Sequence, residues 1–207
     1  MLRIVIPSLT GKILTNVDSC PVPYRLLVVS GGFLGECRHF GVEKCGEGLI
    51  VMLDSDIILS KECWKILLGT ERGEFSIGVV NVFGATSHVS TRVFAIHFED
   101  YLKVGGFDCN IKYTFEDGDF YYRAVASGLR CRGVSSKYFR HIDHKPRSFS
   151  GSFKVFYNVE AAKMLVKYKR AYYSNLWSFF GLRSNLKSAR VTVIKGLALL
   201  YYLMKQL

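Results

Sequence analysis

At 207 residues, with 49% hydrophobic and 22% charged side chains and four prolines, the chain has the composition of one globular domain, or of one domain and a tail. That excludes a disordered or linker-rich protein, and the lack of any repeat of about 20–50 residues excludes solenoids and propellers. The net charge of +11 is confined to the last third: residues 145–207 carry twelve Lys and Arg against one acid, Glu160, while residues 1–144 hold sixteen basic and sixteen acidic side chains.

Residues 3–7 read as a buried strand stopped by Pro7, and 10–19 as a short helix. A turn at 20–23 leads to a second strand, 26–30, ending in Gly31 and Gly32. A helix over about 35–45, stopped at Gly46 and Gly48, precedes a third apolar strand, 49–53, which runs straight into Asp54-Ser55-Asp56. Ser60 suits the cap of a helix over about 60–68. This alternation predicts right-handed crossovers and a parallel sheet over residues 1 to about 70, with ligands at the carboxyl ends of its strands. Beyond it, 75–83 and 91–97 are strand-like, and 99–104 makes a helical turn before Gly105 and Gly106. Residues 120–127 read as a helix closed by Gly128, and 134–141 return to the sheet. From residue 158 onward the pattern is helical, with breaks near Gly181 and Gly196.

Six cysteines are scattered without a CxxC pair, the usage of reduced, buried thiols in a cytoplasmic protein. The apolar run at Leu2 to Ile6 is too short for a secretory signal, and no stretch reaches the roughly 20 apolar residues of a membrane-spanning helix.

Two acidic motifs carry the chemistry. Asp54 and Asp56, one residue apart at a strand end, are placed to share a divalent cation such as Mg²⁺ or Mn²⁺, which favours carboxylate and phosphate oxygens. Glu116-Asp117-Gly118-Asp119 sets three acids in four residues. They read either as an acidic turn capping the helix that follows or as a general base held by it. Arg123, one turn past Asp119, is spaced for simple ion pairing.

Cys37-Arg38-His39-Phe40-Gly41, followed by Gly46-Glu47-Gly48 and the strand into Asp54-Ser55-Asp56, resembles the nucleotide-binding half of GT-A glycosyltransferases, particularly family 2. Gly105-Gly106-Phe107-Asp108, then Glu116-Asp117-Gly118-Asp119-Phe120 and Arg123, resembles that superfamily's acceptor-side block, also found in galactosyltransferase-like members. The two blocks come in the family's order and cover residues 38–144. Departures are Pro7-Ser8-Leu9 and Ser30-Gly31-Gly32 after the first two strands, where the family has other residues, and His39 in place of the usual Asn.

The resemblance implies an α/β GT-A domain over residues 1–150, a mostly parallel sheet flanked by helices; composition and pattern add a basic, aromatic, helical tail over 151–207. It implies an inverting, metal-dependent transferase that moves a sugar from a UDP- or GDP-linked donor to a hydroxyl of a glycan, a lipid-linked acceptor or a protein. Asp117 would be the general base, with Glu116 beside it gripping the acceptor. Asp56 would bind Mn²⁺ or Mg²⁺, and Asp54 the metal or the donor's ribose. Arg38 would face the diphosphate, and His141 or His144 would complete the metal site. Gly106 and Asp119 belong to the acceptor side. A non-catalytic sugar- or nucleotide-binding module of the same fold is the alternative.

The Gly31-Gly32-Phe33-Leu34-Gly35 run lacks the first glycine of a dinucleotide fingerprint, and no nucleic-acid-binding motif accompanies the tail, so neither a dehydrogenase nor a specific nucleic-acid partner is expected. Between residues 165 and 207 eight basic side chains and no acid are interleaved with Tyr, Trp and Phe. That pattern suits either helices packed on the domain or an anionic membrane surface, which would place the protein at the inner face of a membrane.

Overall fold

The computed structural model describes residues 1–8, 10–82, 86–111 and 115–142, with the backbone alone at 80–82 and 86–88. The chain divides into two compact units, Met1–Lys112 with Glu116–His144, and Tyr113–Phe115 with Lys145–Leu207. The second unit lies almost wholly outside the described residues. The expected tail, 151–207, and His144 lie outside them too.

Among the described residues the first unit is built on a six-stranded sheet in the order β2-β1-β3-β6-β5-β7. Its strands are β1 (Leu2–Pro7), β2 (Tyr24–Val29), β3 (Leu49–Leu53), β5 (Glu74–Val82), β6 (Thr86–His97) and β7 (Arg130–Ser135). β1 pairs in parallel with both β2 and β3, and β5 with β7, while β6 runs antiparallel to β3 and β5. Ile4, Val5, Ile6 and Ile50 through Leu53 are fully buried. Strands apolar at every position belong in a sheet covered on both faces.

Each face has its own core. Ile4, Ile6, Val51, Leu53, Val93 and Ala95 meet Cys63, Trp64 and Leu67 of α2 (Lys61–Leu68). Val5, Ile50, Met52, Phe94 and Ile96 meet the other helices: α1 (Leu34–Cys45) through Val42, α3 (Phe98–Val104) through Tyr101 and Val104, and α4 (Glu116–Ala126) through Phe120 and Ala124. This is a three-layer α/β architecture, as the alternation predicts. Phe120 anchors α4: its ring lies 4.8 Å from Phe107, 5.3 Å from Phe94 and 5.7 Å from Tyr101 between centroids. Truncating such a ring to alanine costs about 3–5 kcal/mol. α1 rides so close on the sheet that a Cβ at Gly41 would overlap the Val5 side chain.

Local signals explain the helix ends. Ser60 Oγ accepts the Cys63 N–H at 3.1 Å and caps α2, as expected. At the start of α1, the Glu36 carboxylate reaches back to the Phe33 N–H at 3.0 Å, and Gly46 ends the helix at φ +75°.

Three expectations fail. Residues 10–19 form no α-helix, only a 3-10 turn at Val17–Ser19. Their polar groups are spent on a neighbouring loop: Leu14 and Thr15 N–H both donate to Ser55 O, and the Asn16 amide bonds Leu59. A short strand, β4 (Ile57–Leu59), was not foreseen, and it pairs antiparallel with β8 (Phe139–His141) in a separate two-stranded sheet. The expected strand 134–141 is therefore split into β7 and β8 by a 3-10 turn at Ser136–Tyr138. α4 also starts at Glu116, so the acidic block is its first turn rather than a loop before it.

Candidate active site

β1 lies between β2 and β3, with Pro7 opposite Val29 and Val5 opposite Met52, so the chain leaves all three strands at one edge of the sheet. That edge is where parallel α/β sheets bind ligands. Asp54 follows β3 there, its N–H bonded to Arg92 O at 3.0 Å.

Arg38 connects this edge to the acidic block. It sits on α1 with only 2% of its surface exposed, donating from Nη2 to Asp54 Oδ1 at 2.7 Å and from Nη1 to Glu116 Oε1 at 2.6 Å. Burial works against its charge, but Asp54, Glu116 and Asp117 together outweigh that and hold its pKa above the ordinary value. A buried guanidinium needs such partners, and its planar fork can serve two carboxylates at once. Among the described residues its Nε, a buried donor, has no hydrogen-bond partner. Each terminal nitrogen carries a second N–H, so the guanidinium keeps donors beyond the two carboxylate bonds for the expected diphosphate contact.

Asp117, beside Glu116, is half-buried, and Gly118 N–H holds one of its carboxylate oxygens at 2.8 Å. Burial, then the neighbouring Glu116 charge, push its pKa up to about 7, against the opposing pull of Arg38. A carboxyl that titrates near neutrality is matched to proton transfer. Phe115, just before it, has φ +74°, a left-handed conformation that a bulky residue adopts only under constraint.

Asp56 meets His141 at 3.2 Å between Oδ1 and Nε2, brought together by the β4–β8 pairing. Among the described residues no three His, Cys, Asp or Glu side chains gather to hold a metal on their own. A carboxylate with an imidazole is nonetheless a fitting partial set for Mn²⁺ or Mg²⁺, which commonly keep substrate phosphates and water as their remaining ligands.

Asp119 is fully buried: Arg123 grips it at 2.7 and 2.8 Å and also bonds Val104 O, tying α4 to the end of α3. Gly106 takes φ +67°, and a Cβ there would stand 2.7 Å from His39 Nδ1 and 3.0 Å from the Tyr101 hydroxyl. Those two groups form a relay that sequence reasoning missed. Tyr101 accepts the Phe107 N–H at 2.9 Å and its hydroxyl shares a hydrogen bond with His39 Nδ1 at 2.9 Å, while His39 Nε2 lies 3.3 Å from Glu43. Thr15 and Asn16, which no motif marks, brace the Asp54–Asp56 loop.

No protein-family model matches the chain, and no curated protein is similar to it in sequence. Solved structures are similar in fold. Staphylococcus aureus TarS in complex with UDP-GlcNAc superposes with a TM-score of 0.60 at 13% identity, over 94% of this chain and 79% of that one. A mutant Drosophila β1,4-galactosyltransferase 7 bound to manganese, UDP-Gal and xylobiose superposes with a TM-score of 0.56 at 12% identity, over 73% and 77% of the two chains. With its strand order, its three layers and these neighbours, the chain has the GT-A glycosyltransferase fold.

Proposed function

We propose that this protein is an inverting, metal-dependent glycosyltransferase that moves a sugar from a nucleoside-diphosphate donor to a hydroxyl acceptor. The observation that carries the reading is the Arg38 clasp, which joins Asp54 at the donor edge of the sheet to Glu116 beside Asp117. Fold alone would not support a reaction. A buried arginine that binds the two acidic motifs to each other, next to a carboxyl titrating near 7, does.

Asp117 takes the proton of the acceptor hydroxyl as that oxygen attacks the anomeric carbon. The bond from that carbon to the diphosphate breaks on the opposite face, which inverts the centre and releases the nucleoside diphosphate. The transition state has oxocarbenium character, as in glycoside hydrolysis. Glu116, held by Arg38, orients the acceptor beside Asp117, and Asp54 holds the donor's ribose. Asp56 and His141 would hold Mn²⁺ or Mg²⁺, which neutralises charge on the leaving diphosphate. UDP, the nucleotide in the similar structures, is the first donor to try and GDP the second.

The basic, aromatic residues 151–207 are proposed to rest on an anionic membrane surface, near a lipid-linked acceptor. Among the described residues no helix is long and apolar enough to cross a membrane. Sedimentation with vesicles containing anionic lipid at physiological salt checks this, and indifference of the full chain to them refutes it.

The decisive experiment incubates UDP- and GDP-sugars with the full chain and Mn²⁺, following release of nucleoside diphosphate, with ligand-induced thermal shifts in parallel. Turnover that EDTA stops and Asp117→Asn removes, with donor binding kept, supports the enzyme. A thermal shift without any turnover would instead identify a binding module.

A further inference from the structure

We propose that Thr15 is a positioning residue that sets the Asp54–Asp56 loop for its cation. The inference rests on the reading above in one respect, that this loop holds a divalent metal.

The loop joins β3 to β4 and belongs to neither sheet, so its backbone groups must be satisfied from outside. The Thr15 hydroxyl donates to Asp54 O at 2.6 Å, and its own Oγ1 accepts the Ile57 N–H at 2.9 Å. A carbonyl only accepts and an N–H only donates, so both roles of the hydroxyl are assigned. One buried side chain, 6% exposed, thus ties the residue that opens the loop to the residue that follows it. Around it, Ser55 O accepts Leu14 N at 2.7 Å and Thr15 N at 3.2 Å, and Asp56 O accepts Ile142 N at 2.8 Å. Asn16 extends the brace along β4, donating to Leu59 O at 3.1 Å and accepting Leu59 N at 2.8 Å.

Thr15 is a clamp on the loop itself that a side-chain change removes while leaving the main-chain bonds to Ser55 and Asp56 in place. Without the hydroxyl, a buried C=O and a buried N–H lose their partners together and must move to find others. They belong to the two residues that flank Ser55-Asp56. Cation sites tolerate such movement poorly, because ligand orientation decides affinity, and losing a supporting hydrogen bond commonly lowers metal affinity about 10–100-fold.

The test titrates Mn²⁺ into the full chain in the presence of UDP and reads free Mn²⁺ by its electron paramagnetic resonance signal, so no acceptor or turnover is needed. Thr15→Val keeps the shape and deletes the hydroxyl, and it should weaken Mn²⁺ binding about 10–100-fold. Thr15→Ser restores the hydroxyl and should recover most of that loss. Circular dichroism and UDP binding without metal check that both variants are folded. Wild-type affinity in Thr15→Val, or equal losses in the valine and serine variants, would overturn the inference. If Thr15→Val does not fold, Thr15→Cys, with its weaker donor and acceptor, should give an intermediate loss, and wild-type affinity there refutes the role. A wild-type chain that binds no Mn²⁺ with UDP present fails at the metal reading itself, before Thr15 is at issue.

Discussion

His141 Nε2 stands 3.2 Å from Asp56 Oδ1, and main-chain bonds hold the two together: His141 is opposite Ile57 in the β4–β8 pair, and Ile142 N–H donates to Asp56 O at 2.8 Å. A residue near the end of the described chain is thereby delivered to the loop that follows β3. The pairing does for His141 what a motif does for residues close in sequence.

Asp56→Ala should therefore abolish metal-dependent turnover without unfolding the protein, since the residue sits at a loop and not in either core. His141→Ala should raise the Mn²⁺ concentration for half-maximal activity at least about 10-fold. Metal titration of each variant, after dialysis against EDTA, gives the answer. Full activity in EDTA contradicts the metal role of both residues.

Asp117→Asn should lower kcat by about 10²–10⁴-fold while the KM for the donor changes little. Asp117 must be ionised to act, and burial raises its pKa to about 7. Activity of the wild type should thus rise with pH and level off above that value. A profile flat from pH 5 to 8 would remove Asp117 as the base.

The same carboxyl should leave a mark on stability. Its folded pKa, about 7, lies above the ordinary aspartate value of 3.8, so the folded form holds the proton more tightly. Its stabilising contribution is complete below about pH 3.8 and is lost as pH rises through 7. Asn at this position does not ionise, so Asp117→Asn should melt higher than the wild type at pH 8 and lose that advantage at low pH. In a chain of this size each 1 kcal/mol gained lifts Tm by about 2–4 °C. Equal melting temperatures at pH 8 would show that the carboxylate is well solvated.

Arg38→Met should destabilise the protein by about 3–5 kcal/mol, because it strands the buried Glu116 carboxylate and frees Asp54. Arg38→Lys keeps the charge but cannot fork to both acids, so it should fall between the two. Urea melts measure the difference. A loss below about 1 kcal/mol for Arg38→Met would mean that the clasp is not a structural tie.

Gly106→Ala should cost more than the ~1 kcal/mol typical of a strained glycine replacement, because its Cβ would stand 2.7 Å from His39 as well as forcing alanine to φ +67°. Chemical denaturation of this variant alongside Gly105→Ala, where the nearest side-chain atom is 4.0 Å away, separates crowding from backbone strain. Equal losses would leave strain as the whole cause.

Local signals along the chain were enough to place several elements. Apolar runs such as Leu49 to Leu53, short and bounded by glycine and acids, read as buried strands, and the structure places the acids that follow at a strand end. Ser60 and Gly46 punctuate helices through their own backbone chemistry, and Asp119 and Arg123 pair because a helix sets residues four apart on one face. Which distant groups meet depends on how the chain packs in three dimensions. Three-residue strands such as β4 and β8 are too short to show a period, yet their pairing brings His141 to Asp56. The residues before Val17 carry a plausible helical pattern, but Thr15 and Asn16 spend their hydrogen bonds on the Asp54 loop and β4 instead. In the sequence Arg38 stands within a motif whose resemblance implies only that it faces the diphosphate. It becomes the buried tie between two acidic motifs only when α1 is laid against the sheet, because a guanidinium is stable in the interior only where carboxylates from separate parts of the chain converge on it.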